Sequence, residues 1–139
     1  ERIGRLGVWH RAKNVASFLA FDGEPSMAAL HADRRWRDKR FHVPVVRAHS
    51  MRFAPLVAHT ALGSNVFGIS EPRHRYRIET ARLDVVLVSL VGFDEKLNRL
   101  GMGGGFYDRH FSALIQELNS SRPKSATSVS SERDASTRS

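Results

Sequence analysis

Leu83-Asp84-Val85-Val86-Leu87-Val88-Ser89-Leu90 and Arg99-Leu100-Gly101-Met102-Gly103-Gly104-Gly105-Phe106-Tyr107-Asp108-Arg109, joined by the loop Val91–Asn98, decide the fold of this chain. The first run is apolar, rich in β-branched residues and bounded by turn residues, which reads as a strand buried on both faces. Through and beyond the second run, Tyr107, His110, Phe111, Leu114, Ile115 and Leu118 recur at helical spacing. A glycine-rich loop therefore carries a buried strand into an amphipathic helix.

That order has a chemical reading. Gly101, Gly103, Gly104 and Gly105 lack Cβ atoms, so the backbone can take positive φ and approach a ligand closely. The N–H groups that open the following helix, and the positive end of its dipole, face the same place. Arg99 adds a full positive charge. The sum is an anion site suited to the phosphates of a nucleotide, and Asp108 in the first turns of the helix is placed to hold Mg²⁺ beside them. A glycine cluster between strand and helix also serves as a plain tight turn. The run matches neither the P-loop nor the dinucleotide fingerprint, so spacing alone leaves both readings open.

Working outward toward the N-terminus, Arg40–Val46 reads as a strand, with Pro44 suggesting an edge or a strand end. Met51-Arg52-Phe53 reads as a short further strand, and residues 54–65 as a loop. Val15–Phe21 reads as a strand followed by the turn Asp22–Ser26 and a helix over 26–38 carrying Met27, Leu30 and Trp36. Residues 1–14, with Ile3, Leu6, Gly7, His10 and Arg11, read as the end of a basic helix. Glu24 follows a strand end, where open α/β sheets place ligands, but an acid opening a helix reads the same way. Phe67 fits a core phenylalanine or a ring platform. Asp84 lies at the wrong strand end for a ligand and reads as structural. Asp94 reads as a turn residue that could also assist a metal or orient Arg99.

Toward the C-terminus the composition changes. Residues 119–139 are Ser/Thr-rich with scattered arginines, and Val129 is their one aliphatic residue larger than alanine. Such a segment reads as a disordered tail, which leaves residues 1–118 as the domain.

The 139 residues carry 22 Lys+Arg against 14 Asp+Glu, a formal net charge of +8. The basic residues are dispersed. The densest run, Arg34–Arg40, is broken by Asp38 and reads as a solvated helix end in preference to a nucleic-acid patch. A positive cleft would draw a polyanionic small ligand. The absence of cysteine excludes disulfides and a thiol nucleophile and fits a reducing compartment. No apolar run reaches the roughly 20 residues of a membrane span. The seven histidines show no metal-ligand spacing, and no Ser/His/Asp arrangement stands out. The alternation of strands and helices argues an α/β domain with a mainly parallel sheet.

Leu87–Asp94 followed by Asn98–Arg109 resembles the signature of the 5-formyltetrahydrofolate cyclo-ligase family, bacterial type, also called methenyltetrahydrofolate synthetases. The resemblance extends through Val66–Pro72, Arg40–Val46 and Phe18–Pro25 and covers most of residues 1–118. It implies a three-layer αβα Rossmann-like domain and ATP- and Mg²⁺-dependent conversion of 5-formyltetrahydrofolate to 5,10-methenyltetrahydrofolate. By that resemblance the run Arg99, Leu100, Gly101, Met102, Gly103, Gly104, Gly105, Phe106 and Tyr107 binds ATP, Arg99 and Tyr107 take part in catalysis, and Asp108 holds Mg²⁺. Leu19, Glu24 and Phe67 would shape the folate pocket. It further implies a monomer in the cytoplasm, with no nucleic-acid or membrane partner. The family's basic N-terminal helix and its strands after the signature helix are not visible, so the expectation is a chain incomplete at both ends. A non-catalytic remnant that binds nucleotide or folate is the alternative.

Overall fold

The computed structural model describes residues 2–48, 50–96, 98–101 and 105–120. Met102, Gly103 and Gly104 lie outside the described residues, as does the expected 119–139 tail from residue 121 onward, while its first two residues, Asn119 and Ser120, continue the last helix. In chain order the elements are α1 (Gly7–Arg11), β1 (Asn14–Ala16), α2 (Ala28–Ala32), β2 (Arg40–Arg47), β3 (Ser50–Pro55), β4 (Leu62–Ser64), β5 (Ser70–Pro72), β6 (Val85–Val86), β7 (Gly92–Phe93), β8 (Arg99–Leu100) and α3 (Phe106–Ser120).

The main sheet has the order β3-β2-β1-β6, with β1 parallel to both neighbours and β2–β3 an antiparallel hairpin. Alternation along β1 and β6 divides the core in two. Val15 and Val85 point into a cluster with Trp9 of α1, Leu30 of α2 and Trp36, whereas Ala16 and Val86 point into one with Met51, Phe53 and, from α3, Phe106, Tyr107 and Phe111. Helices thus cover both faces, and the domain is the expected three-layer α/β arrangement.

Several boundaries differ from expectation. The strand expected over 83–90 is only Val85–Val86 and half-buried, because β6 is the outer strand of the described sheet and is covered on one edge only. The strand expected over 15–21 ends at Ala16. Residues 62–64, expected within a loop, form β4 and pair with β5. The helix expected over 26–38 is divided by Asp33. That residue has extended backbone angles, and its carboxylate accepts the Arg35 N–H and pairs with the Arg35 guanidinium, opening a separate 3₁₀ turn at Arg34–Trp36. Aspartate offers this local alternative to a continuing helix.

Pro44 is tolerated in an interior strand for a definable reason. The β1–β2 pairing ends at Ala16–His42, so β2 has no partner on that side at Pro44. Two residues on, the Val46 N–H on the same side is taken instead by Glu71 Oε1 at 2.7 Å.

The basic run is solvated at Arg34, Arg35 and Arg37 but not at Lys39, which is buried. Lys39 Nζ donates to the carbonyls of Trp9 and Ala12 at the end of α1 and lies 5.1 Å over the Trp9 ring. It adds a donor to the carbonyls at the end of α1, where a helix leaves acceptors exposed. Asp84 is structural, as expected. It accepts the N–H groups of Asn14 and Lys13, which hold its carboxyl below the usual range.

The β4–β5 hairpin is tied to β2 by Glu71, which is 4% exposed and also accepts from Arg47 Nη1 and Asn65 Nδ2. Burial opposes ionisation of Glu71, but the bonds from Val46, Arg47 and Asn65 outweigh it and leave its pKa below the ordinary value. A depressed carboxyl stabilises the fold fully above its unfolded pKa and loses that contribution as pH falls through the folded one. The difference in urea midpoint between the wild-type chain and Glu71→Gln is therefore expected to be largest above about pH 5 and to shrink toward pH 3. A difference constant across that range would remove Glu71 ionisation from the account.

Candidate active site

One cleft of about 600 Å³ opens where the C-terminal ends of β1 and β6, the β4–β5 hairpin and the start of α3 meet. Its volume suits a small-molecule ligand. The chain builds it from four directions. After β1, Phe18, Leu19 and Phe21 line one wall, and the turn at Asp22-Gly23, both at positive φ, brings Glu24 back beneath them. The Glu24 carboxylate accepts the Phe21 N–H at 3.1 Å and the hydroxyl of Ser89, which follows β6. Phe67 enters from the β4–β5 loop, and its ring meets Phe106 edge-on at 5.7 Å. Leu100, Gly101, Gly105, Phe106, Tyr107 and Asp108 close the remaining side.

Gly105 is the residue at which the loop becomes the helix. Its φ is +64°, and a Cβ there would lie 2.9 Å from Arg109 Nη1. The Arg109 guanidinium in turn sits 5.0 Å over the Phe106 ring. Because L-residues pay about 1–2 kcal/mol in this backbone region, Gly105→Ala is expected to destabilise the chain by about that amount. Chemical denaturation checks it, and an unchanged midpoint would contradict the strain.

The structure thus places Leu19, Glu24, Phe67, Leu100, Gly101, Gly105, Phe106, Tyr107 and Asp108 around one cleft. Arg99 lies in β8, paired with Phe93 across the β7–β8 hairpin, adjacent to that wall. Met102, Gly103 and Gly104 are outside the described residues. Tyr107 also packs on the core, its ring stacked on Phe111 at 6.3 Å. Phe67 is half exposed rather than a core residue. Asp94 accepts from Lys96 N–H, Asn98 N–H and Asn98 Nδ2, and the Asn98 amide is the main cause of its lowered pKa. It organises its own turn, the role its position suggested.

Sequence reasoning missed Phe18, Met51 and Ser89 as lining residues, since each reads as ordinary strand or core. It also gave no role to Asn65 or Glu71, whose bonds span residues that no periodicity links.

Among the described residues no group of three or more His, Asp or Glu side chains could hold a metal alone. Mg²⁺ commonly uses one or two carboxylates and completes its shell with phosphate oxygens and water. Asp108, in the first turn of α3 at the cleft, fits that donor set.

A family model described as the 5-formyltetrahydrofolate cyclo-ligase family matches residues 1–134. The chain is 40% identical over 104 residues to a 5-formyltetrahydrofolate cyclo-ligase of Haemophilus influenzae, covering 71% of this chain and 56% of that protein. It is 42% identical over 104 residues to the enzyme of that name from Escherichia coli strain K12, covering 70% of this chain and 57% of that protein. The chain therefore matches a little over half the length of these curated relatives. A solution structure titled as the 5,10-methenyltetrahydrofolate synthetase of Aquifex aeolicus superposes with a TM-score of 0.66 at 28% identity, covering 80% of this chain and 57% of that one. A Mycoplasma pneumoniae 5,10-methenyltetrahydrofolate synthetase, 20% identical with a TM-score of 0.59, shares the fold.

Proposed function

The chain belongs to the 5-formyltetrahydrofolate cyclo-ligase family, and from that premise we propose that it cyclises 5-formyltetrahydrofolate to 5,10-methenyltetrahydrofolate at the expense of ATP. The observation that supports this reading is the one cleft onto which Leu19, Glu24 and Phe67, expected to meet folate, and Leu100, Gly101, Gly105, Phe106 and Tyr107, expected to meet nucleotide, all open.

The chemistry requires that juxtaposition. The formyl oxygen of the substrate is a poor leaving group. It attacks the γ-phosphorus of ATP, the bond to the β–γ bridging oxygen breaks, and ADP departs. The neighbouring N10 then bonds to the activated formyl carbon, loses its proton, and the former formyl oxygen leaves with the phosphate. Such a sequence asks the protein for positioning and charge stabilisation, not for a nucleophile. Arg99, the loop Gly101–Gly105 (Met102, Gly103 and Gly104 included) and the start of α3 would hold the phosphates. Tyr107 would lie between the two substrates, a position consistent with its place on the cleft wall. Glu24, held by Phe21 and Ser89, would accept hydrogen bonds from the folate ring system, with Leu19 and Phe67 against its faces. Mg²⁺, held by Asp108, would neutralise phosphate charge in the transition state.

The reading includes a monomer in the cytoplasm acting without nucleic acid or a membrane. Among the described residues no helix is long and apolar enough to cross a membrane. A second reading, a chain that binds nucleotide or folate without turnover, is favoured by the length comparison, since little more than half of each relative is matched. Calorimetric titration tests the common ground of both. ATP with Mg²⁺ and 5-formyltetrahydrofolate are each expected to bind with one-to-one stoichiometry. Absence of both events in a folded sample would remove both readings.

A further inference from the structure

We infer that Asn65 is a positioning residue for the ring-binding wall of the cleft, acting through Phe67 and anchored to the sheet by Glu71. The inference rests on the folate reading above and extends it to a residue that does not line the cleft.

Phe67 is half exposed, and α3 meets it only edge-on through Phe106. A lone aromatic ring on a surface hairpin would be free to swing away from the cleft. What fixes it is the backbone of the loop. Asn65 Oδ1 accepts the N–H groups of both Phe67, at 2.9 Å, and Ile69, at 3.0 Å. The backbone closes the same loop, with Asn65 N–H donating to the Ile69 carbonyl and Gly68 N–H to that of Asn65. Gly68 supplies the positive φ, +79°, that lets the chain turn back. One side-chain oxygen thus pins the amide of the ring-bearing residue and the amide that ends the loop.

The other end of the Asn65 amide anchors this loop to the sheet. Nδ2 donates to Glu71 Oε1 at 2.8 Å, and the same oxygen accepts the Val46 N–H from β2. Glu71 Oε2 takes Arg47 Nη1 at 2.6 Å. The carboxylate is buried and saturated, and it sits at the point where β2 has outrun β1 and offers an unpaired amide. A chain of contacts therefore runs from the rigid sheet through Val46, Glu71 and Asn65 to the Phe67 amide and ring. Removal of the Asn65 side chain severs it at the middle without emptying the core.

The expected consequence is selective. If the competent position of Phe67 falls to about a tenth of the population, the apparent dissociation constant for the ring ligand rises about tenfold, while the nucleotide side, held by α3, is unaffected. The experiment compares the wild-type chain, Asn65→Ala and Glu71→Gln by calorimetry with 5-formyltetrahydrofolate and separately with ATP and Mg²⁺. The Phe67–Phe106 ring contact is followed by nuclear Overhauser effects.

Asn65→Ala is expected to bind the folate about tenfold more weakly, to bind ATP as the wild type does, and to lose the ring contact. Glu71→Gln can keep its side-chain oxygen on Val46 N–H and Asn65 Nδ2 and forfeits only the Arg47 ion pair. It is expected to stay within about twofold of wild type for both ligands. Wild-type folate affinity or an intact ring contact in Asn65→Ala overturns the inference while leaving the folate reading in place. An equal loss of both ligands in Asn65→Ala also overturns it, as a general structural effect. A folded wild-type chain that binds ATP but no folate overturns the folate reading itself, and with it any ligand role for Asn65.

Discussion

Replacing Asp108 by asparagine is expected to lower turnover of 5-formyltetrahydrofolate by roughly 100- to 1000-fold, the scale of loss when one preorganised electrostatic support of a transition state is removed. Asparagine keeps the shape and the polarity of the side chain at the first turn of α3, and loss of a first-turn acid costs a helix only about 0.3–1 kcal/mol. Folding should therefore survive while Mg²⁺-dependent chemistry does not. Of the described carboxylates on the cleft, Asp108 lies closest in sequence to the glycine-rich run. Steady-state rates across a Mg²⁺ titration decide the matter. A variant with wild-type rate and unchanged Mg²⁺ requirement would place the metal elsewhere.

The largest effect on stability is expected at Trp9. Its side chain is fully buried and packs edge-on against Trp36 at 5.5 Å and obliquely on Phe41, with Lys39 Nζ over its ring. Truncation to alanine should cost about 3–5 kcal/mol, the range for a large buried aromatic. Trp9 Nε1 is buried without a hydrogen-bond partner among the described residues, and an unsatisfied buried donor costs about 1–3 kcal/mol. Trp9→Phe removes that donor while keeping a ring, so its loss should be well under half that of alanine. Equilibrium unfolding of the two variants tests both statements. Equal losses would show that the ring retained in Trp9→Phe recovers none of the packing and would contradict this account.

The residues that the sequence made legible are those whose role is local. The spacing of Tyr107, Phe111 and Leu114 marks α3, and the structure runs it from Phe106 to Ser120. The β-branched run through Arg40–Val46 marks β2, and the turn chemistry of Asp94 is read from its neighbours. The glycine run marks the loop before α3, because a residue without Cβ takes the +64° at Gly105 without steric cost. What stayed illegible depends on partners distant in the chain. A β-branched apolar run looks like a full strand in isolation, yet the run from Leu83 pairs at only Val85 and Val86 because β1 itself is three residues long. The burial of Trp9, which no reading of residues 1–14 singled out, involves Lys39, thirty positions on, whose amine reaches the end of α1. Asn65 and Glu71 look like turn and loop residues until Val46 supplies the amide that joins them to the sheet. The same division holds in the cleft. Leu100, Gly101 and Gly105 of the glycine run, and Glu24, which the family resemblance singled out, line the cleft, whereas Phe18, Met51 and Ser89 join the wall only through folding.

The central claim is that this one cleft brings a reduced folate and a nucleotide into reaction. The most direct measurement mixes the chain with 5-formyltetrahydrofolate, ATP and Mg²⁺ and follows the absorbance of the methenyl product. The account predicts a rise that disappears when any one of the three is omitted. No rise, in a folded sample that binds both ligands, would contradict it and leave a binding protein without turnover.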